Sequence, residues 1–226
     1  MKKTLLLLTV SLLFTLLFSC GSDESDELML AIKEYREAKL TKYREENDSY
    51  ADYEVDVAFI GDSLTDGYDL QKHYPDVVTV NRGIGGDTTF DLEERLGLSL
   101  YDLKPKVAVM LIGANNFSTM FDNYERILKG FVENIPNTRI VLLSLTSMSG
   151  EWGKNNQLVA YNNVKIKMLS EQYGFEYIDL YSALMNLKTG EIYPEYTTDG
   201  GHLTEAGYAV ITAKVTPVIK ELLKNP

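Results

Sequence analysis

The chain has 226 residues, with 22 Lys and Arg against 33 Asp and Glu, and its formal net charge is −11. This length suits one well-buried domain, and the acidic balance argues against nucleic acid as a partner, because a duplex needs a basic surface. One cysteine and two histidines exclude a disulfide framework and disfavour a zinc site, so we expect neither a metal nor a cofactor.

The first 19 residues have the pattern of an export signal. Lys2 and Lys3 precede the apolar run 5–18, which is too short to span a membrane and is typical of a signal-peptide core. The run ends in Phe18-Ser19-Cys20, which resembles the lipobox of bacterial lipoproteins. The resemblance implies lipidation of Cys20, and the alternative is a lone cysteine near an ordinary cleavage site. We therefore expect an exported protein, anchored by lipid to a bacterial membrane in the cell envelope.

Two further segments precede the main domain. Residues 20–26 contain the acidic string GSDESD, which has nothing to bury and is expected to be a tether. In some bacterial lineages such a stretch resembles a surface-export signal. Residues 27–52 begin with apolar residues at helical spacing among Glu, Lys and Arg, which predicts an amphipathic helix over 27–47. Its apolar positions are Leu28, Leu30, Ala31, Ile32, Tyr35, Leu40 and Tyr43.

From residue 53 to 226, short apolar runs alternate with segments of helical periodicity. The predicted strands are 55–60, 77–80, 107–112, 140–145 and 175–180. The predicted helices are 91–100, 121–135, 158–173 and 204–223. Continuous apolar runs suit strands that are buried on both faces of a parallel sheet. The pattern predicts an α/β fold, a three-layer α/β/α sandwich around a five-stranded parallel sheet.

Four motifs offer chemistry, three of them just after predicted strands and the fourth before the last predicted helix. Ser63, in GDSLTDG, follows the first strand; Asp199 and His202 stand three residues apart before the last helix. A neutral imidazole can remove the proton of a serine hydroxyl, and an acidic partner fixes the imidazole tautomer. In GIGGDTT, Gly86 could present its amide to an oxyanion, and Asn115 could donate from its side chain. Each motif alone is also ordinary turn material.

The four motifs in this order resemble the SGNH, or GDSL, hydrolases, over about residues 55 to 223. The resemblance implies a flavodoxin-like fold and a serine esterase. It makes Ser63 the nucleophile, His202 the base and Asp199 its orienting acid. It also implies an oxyanion hole formed by the amides of Ser63 and Gly86 and by the side chain of Asn115.

One position departs from the common pattern of that family. Many members have aspartate after the oxyanion asparagine, whereas this chain has Asn116. Two asparagines there, together with GIGGDTT and the string KPKV at 104–107, resemble the branch of the platelet-activating-factor acetylhydrolase catalytic subunit. That branch favours short acyl groups, often acetyl.

Two features remain outside these motifs. His73 is expected at the surface or at a pocket rim, and it is the weaker candidate for a base because no acidic residue stands at a suitable spacing. The segment Ser147–Asn156 holds the only tryptophan, Trp152, and either shapes substrate access or is a plain surface loop.

The sequence does not specify the alcohol part of the ester. The substrate is a small-molecule or polysaccharide ester, and a carbohydrate O-acetylesterase, a lysophospholipase or a thioesterase would carry the same motifs. Outside the enzymes, the alternative is a lipid-anchored binding module that keeps the fold without turnover. The sequence gives no indication of oligomeric state.

Overall fold

A computed structural model of the protein describes residues 22–224. The predicted signal peptide, residues 1–19, and the predicted lipidation site, Cys20, lie outside the described residues, so both stay predictions. The chain divides into two compact units on either side of the Ser49–Tyr50 bond. In the part of the chain that the structure describes, no helix combines the length and the apolar character needed to cross a bilayer.

The described residues of the first unit form one long helix, α1 (Ser22–Asn47). It begins at Ser22, ahead of the predicted helix start at residue 27, and so includes part of the predicted tether. Ser, Asp and Glu are residue types that favour the start of a helix. Leu28 and Tyr43 of the predicted apolar face are buried, whereas Leu30 is 56% exposed.

The second unit is built on a five-stranded parallel sheet, as predicted. Its strands are β1 (Val57–Gly61), β2 (Thr79–Gly83), β3 (Val107–Leu111), β4 (Arg139–Leu143) and β5 (Glu176–Ile178). They lie in the order β2-β1-β3-β4-β5. All residues of β1 and β3 are buried, which accounts for their unbroken apolar sequences.

Helices flank this sheet and complete the predicted α/β/α arrangement. They are α2 (Ser63–Asp66), α3 (Leu70–His73), α4 (Thr89–Glu94), α5 (Tyr124–Asn134), α6 (Gly150–Gly153), α7 (Asn156–Tyr173), α8 (Tyr181–Leu184) and α9 (Glu205–Lys224). A π-helix covers Gly97–Tyr101, and 3-10 turns cover Met120–Asp122 and Pro194–Tyr196. The helix predicted over 91–100 is therefore two elements. A capping box between Thr88 and Asp91 starts α4 early.

The second strand lies further along the chain than predicted. β2 covers 79–83 rather than 77–80, because pairing with β1 begins at Val57 and Thr79, and Val78 is exposed. Asn81 and Arg82 lie within the strand, and polar residues conceal a strand from a search for apolar runs. The antiparallel pair β6 (Met185–Asn186) and β7 (Glu191–Ile192) was also missed, because two-residue strands show no periodicity.

The sheet brings three of the predicted site residues to one edge. Ser63 follows β1, the loop with Gly86 follows β2, and Asn115 follows β3. These three strands are neighbours and parallel, so their carboxyl ends open on the same crevice, which is the usual ligand site of such sheets.

Candidate active site

Ser63 is the first residue of α2, directly after the turn that ends β1. The preceding residue, Asp62, caps this helix, because its Oδ1 accepts a hydrogen bond from the Leu64 N–H at 3.1 Å. The hydroxyl of Tyr208 on α9 donates to the carbonyl of Leu64 at 3.0 Å. The backbone around the serine is thus fixed from both sides, while the serine itself is half-buried.

His202 and Asp199 meet Ser63 in one continuous hydrogen-bonded chain. Nε2 of His202 lies 3.1 Å from Oγ of Ser63, and Nδ1 of His202 lies 2.7 Å from Oδ2 of Asp199. Ser63 and His202 stand 139 residues apart in the sequence, and the fold places them within proton-transfer distance. With a proton on Nδ1 shared with the carboxylate, Nε2 can accept the serine proton.

The loop that carries His202 is held by its own hydrogen bonds. Oδ1 of Asp199 accepts from the N–H groups of Gly201 at 2.9 Å and His202 at 2.7 Å. The Thr197 hydroxyl donates to the His202 carbonyl at 2.7 Å. Partial burial alone would raise the pKa of Asp199, but the hydrogen bonds from the His202 backbone and ring and from Gly201 outweigh it and lower that pKa. Asp199 is therefore an anion whenever the imidazole needs a counter-charge.

The predicted oxyanion donors lie at the ends of three neighbouring strands, after β1, β2 and β3. The Ser63 N–H stands at the first position of α2, where a helix offers no internal partner. Gly86 has φ +85°, a conformation that glycine adopts readily, and it turns the chain after β2. Nδ2 of Asn115 donates to the carbonyl of Asp87 at 2.9 Å, so the loops after β2 and β3 are joined. The second hydrogen of that amide leaves Asn115 a further donor.

Asn116, which stands where many family members have aspartate, binds Thr89 through its side chain. Its Nδ2 donates to Oγ1 of Thr89 at 2.9 Å, and its Oδ1 accepts from the Thr89 N–H at 3.3 Å. The Thr89 hydroxyl donates its own proton to Oδ1 of Asn123 at 2.6 Å. Because the Thr89 hydroxyl already donates its proton to Asn123, a partner at position 116 must donate a hydrogen bond to the Thr89 oxygen. An aspartate at position 116 would supply only acceptors.

Sequence reasoning missed a buried arginine that binds the same loops. Nε of Arg95 lies 2.6 Å from Oδ2 of Asp87, and both side chains are 3% exposed. The guanidinium also donates to the carbonyls of Gly61 and Arg82, each at 2.9 Å, and to the Ser99 hydroxyl. Arg95 therefore ties the ends of β1 and β2 to the residue after Gly86. An arginine within a helical pattern reads as solvated, so no sequence signal marked it.

Asp62 is a second group that the motif alone did not explain. It is completely buried, and its Oδ1 accepts the hydrogen bond from the Leu64 N–H. Burial raises the pKa of Asp62 to about 7, with the nearby Asp87 carboxylate adding to the rise, although the Leu64 N–H and His202 oppose it. A carboxyl that is partly neutral near pH 7 thus stands next to the nucleophile.

His73 lies against α9 rather than with Ser63. Its Nδ1 is 2.8 Å from the Thr212 hydroxyl, and its Nε2 is 3.2 Å from Oε1 of Glu205. The expectation that it lacks an acidic partner is wrong, because the fold supplies Glu205 from a distant part of the chain. Its ring lines a surface pocket with residues of α9, which agrees with the expected rim position.

The remaining predicted feature, the segment Ser147–Asn156, lies beside the histidine loop. The Ser149 N–H donates to the Gly200 carbonyl at 2.9 Å, and the ring of Trp152 faces Gly201. Among residues 22–224, no cluster of three His, Cys, Asp or Glu side chains could hold a metal ion.

Comparison with known proteins identifies the family of the chain. Residues 59–210 match the family model of the GDSL-like Lipase/Acylhydrolase family. The alpha2 subunit of platelet-activating factor acetylhydrolase IB from Homo sapiens is 30% identical over 193 residues, covering 77% of this chain and 80% of that protein.

Solved structures show the same fold. A protein from Streptococcus pneumonia, provisionally described as a platelet activating factor, superposes with a TM-score of 0.79 at 27% identity, over 88% of this chain and 100% of the other. Axe2, an acetylxylan esterase from Geobacillus stearothermophilus, superposes with a TM-score of 0.60 at 23% identity, over 74% of this chain and 95% of the other. With a family match across most of the second unit, the chain belongs to the GDSL-like lipase/acylhydrolase family and is a hydrolase that acts on ester bonds.

Proposed function

We propose that the protein is a serine esterase that hydrolyses short-chain acyl esters through an acyl-enzyme on Ser63. The observation that carries this proposal is the chain of two hydrogen bonds, 3.1 Å from Ser63 to His202 and 2.7 Å from His202 to Asp199. A nucleophile, a base and an orienting acid in this order are what acyl transfer requires near neutral pH.

In the first half of the reaction, Oγ of Ser63 attacks the ester carbonyl while Nε2 of His202 takes the hydroxyl proton. The C–O bond to the alcohol then breaks, and the imidazolium returns that proton to the leaving oxygen. In the second half, His202 removes a proton from water, the hydroxide attacks the acyl-enzyme, and the proton returns to Oγ as the acid departs. Asp199 stays ionised and stabilises each imidazolium, consistent with its lowered pKa.

The negative charge that develops on the carbonyl oxygen needs donors that are already in place. The amides of Ser63 and Gly86 and the side chain of Asn115 serve this purpose in the proposal. Preorganised donors of this kind contribute most where the backbone cannot relax. The bonds from Asn115 to Asp87 and from Arg95 to Asp87 supply that rigidity.

A short acyl group, acetyl in the simplest case, is the proposed acid component. The human relative is named for acetyl hydrolysis, and Axe2 is named for acetylxylan. The proposed location is the cell envelope, with Cys20 lipidated and the esterase held at a bacterial membrane, on the strength of the apolar run 5–18 and the residues that follow it.

Hydrolysis of p-nitrophenyl acetate by wild-type protein and by Ser63→Ala tests the proposal. We expect the substitution to lower kcat by at least about 10⁴-fold, because the remaining donors cannot replace a nucleophile. Circular dichroism should be unchanged. A folded Ser63→Ala protein that retains a tenth of wild-type turnover would refute the assignment of Ser63.

A further inference from the structure

The only tryptophan of the chain is exposed beside the proposed catalytic residues. Trp152 lies on α6, in the segment that follows β4, and this residue is 38% exposed. β4 neighbours β3 in the sheet, so this segment opens on the same edge as Ser63 and Asn115. A large aromatic group left open at a ligand-binding edge is often used to bind something.

The segment that carries Trp152 is fixed. Asn156 donates from Nδ2 to the carbonyls of Met148 at 2.8 Å and Gly190 at 3.1 Å, and its Oδ1 accepts from the Met148 N–H at 3.0 Å. The Ser149 N–H donates to the Gly200 carbonyl at 2.9 Å. The tryptophan is therefore presented on a rigid support, which lowers the entropic cost of binding to it.

Two glycines before His202 allow this close approach. A Cβ atom at Gly200 would lie 2.4 Å from the Ser149 carbonyl oxygen, and Gly200 has φ +93°. A Cβ atom at Gly201 would lie 3.2 Å from Cδ1 and 3.3 Å from Nε1 of Trp152. The indole thus packs against the backbone of the residue next to His202, while 38% of the surface of Trp152 stays exposed.

This position assigns Trp152 to the alcohol part of an ester. The oxyanion donors lie on the loops after β2 and β3, whereas Trp152 packs on the loop that carries His202. In the proposed reaction His202 gives its proton to the leaving oxygen, so the alcohol must lie on the His202 side of Ser63. An exposed aromatic surface there contacts the alcohol rather than the acyl group.

The charges around Trp152 narrow the class of alcohol. Glu151 is exposed and lies 3.5 Å from Lys154, and the Glu191 carboxylate lies close to Gly153 on the same helix. Because Lys154 offsets the charge of Glu151, Glu191 and Asp199 leave this rim with a net negative charge, which disfavours a phosphate headgroup. Carboxylates accept hydrogen bonds from hydroxyl groups. The C–H bonds on one face of a pyranose ring can also pack on an aromatic ring.

We propose that Trp152 is the platform for a sugar ring and that the substrates are O-acetylated carbohydrates. This inference depends on the proposed esterase function and specifies its leaving group. Trp152 is a specificity-determining residue in this account, since the reacting atoms belong to Ser63 and His202.

The kinetic test compares two acetyl esters that differ in the alcohol, peracetylated methyl xyloside and ethyl acetate. Trp152→Ala should lower the ratio of their kcat/KM values by about tenfold, the equivalent of ~1.4 kcal/mol, mainly through a higher KM for the xyloside. Trp152→Phe should restore most of the ratio. Tyr161→Ala removes an aromatic side chain that is 69% exposed on α7, and it should leave the ratio unchanged.

The outcomes separate this inference from the proposed function. If wild-type protein hydrolyses neither ester, the esterase proposal fails and the inference fails with it. If wild-type protein hydrolyses both and Trp152→Ala leaves the ratio unchanged, only the inference is overturned. If Trp152→Ala lowers kcat/KM for phenyl acetate but not for the xyloside, the site binds aryl groups and the inference is also overturned.

A binding measurement needs no turnover. Because Trp152 is the only tryptophan, intrinsic fluorescence reports on this site alone. Titration of Ser63→Ala with peracetylated methyl xyloside should shift or quench the emission saturably, and ethyl acetate over the same concentrations should not. Emission that stays constant while the wild-type protein hydrolyses the xyloside would contradict the platform.

Discussion

Asp62 fixes the turn before Ser63, but its burial lowers the stability of the folded protein at neutral pH. Its Oδ1 caps α2 and holds Ser63 in place, but burial raises its pKa from 3.8 to about 7. Between those values the folded protein keeps a proton that the unfolded chain has lost. Stability therefore falls as pH rises through this window, by an amount on the order of 4 kcal/mol.

Asp62→Asn should remove that dependence, because an amide keeps the cap to Leu64 without a titrating charge. We expect the melting temperature of the variant, relative to wild type, to rise by roughly 5–10 °C between about pH 5 and pH 8. Asp76→Asn changes an exposed carboxyl and serves as the control. If the difference in melting temperature between Asp62→Asn and wild type stays constant with pH, the account of Asp62 is disproved.

The residues of the proposed site divide into those with a motif and those without one. Ser63, Gly86, Asn115, Asp199 and His202 were predicted because their chemical types recur in a fixed order, and the structure brings Ser63, Asp199 and His202 into contact. Their roles stay a prediction until they are tested. Arg95 was not predicted because its partners are backbone carbonyls and Asp87, which a sequence pattern does not specify.

At the scale of elements, Arg95 joins α4 to the ends of two strands. Arg95→Lys keeps the charge but cannot reach Asp87, Gly61 and Arg82 together, since lysine lacks the planar fork. We expect kcat for p-nitrophenyl acetate to fall about tenfold with KM within about twofold, because the oxyanion loop loosens while the substrate cleft remains.

Arg126→Lys is the matched control for that experiment. Arg126 is exposed and forms its pair with Glu93 on the surface, so the same substitution there should leave kcat unchanged. Thermal melts identify simple unfolding. A folded Arg95→Lys protein with wild-type kcat would show that the clamp has no part in catalysis.

The elements that sequence reasoning placed well are those whose burial is uniform. β1 and β3 are buried along their whole length, and their predicted bounds differ by two residues or fewer from those observed. β2 was displaced because Asn81 turns inward to bind the carbonyls of Thr65 and Tyr68. Such tertiary contacts override the local sequence pattern. The type of each of these elements was therefore predictable from the sequence, whereas the exact bounds of β2 were not.

For the whole molecule, the five-stranded parallel sheet was predictable from the alternation of apolar runs with helical segments, but the cellular location depends on residues outside the described part. Cys20→Ser in the full-length chain, expressed in a bacterial host, should move the protein from the membrane fraction to the soluble fraction, because the acyl chains are lost. Esterase activity per molecule should not change. Wild-type protein in the soluble fraction, or equal membrane retention by both forms, would overturn the proposed anchor.

Covalent labelling with a fluorophosphonate most directly tests whether the hydroxyl at Ser63 is an activated nucleophile. Peptide mass spectrometry should find the adduct on the peptide with Ser63 in wild-type protein. It should find no adduct in Ser63→Ala and much slower labelling in His202→Ala, where the 3.1 Å contact to the base is lost. Equal labelling of all three proteins, or an adduct on another serine, would contradict the account.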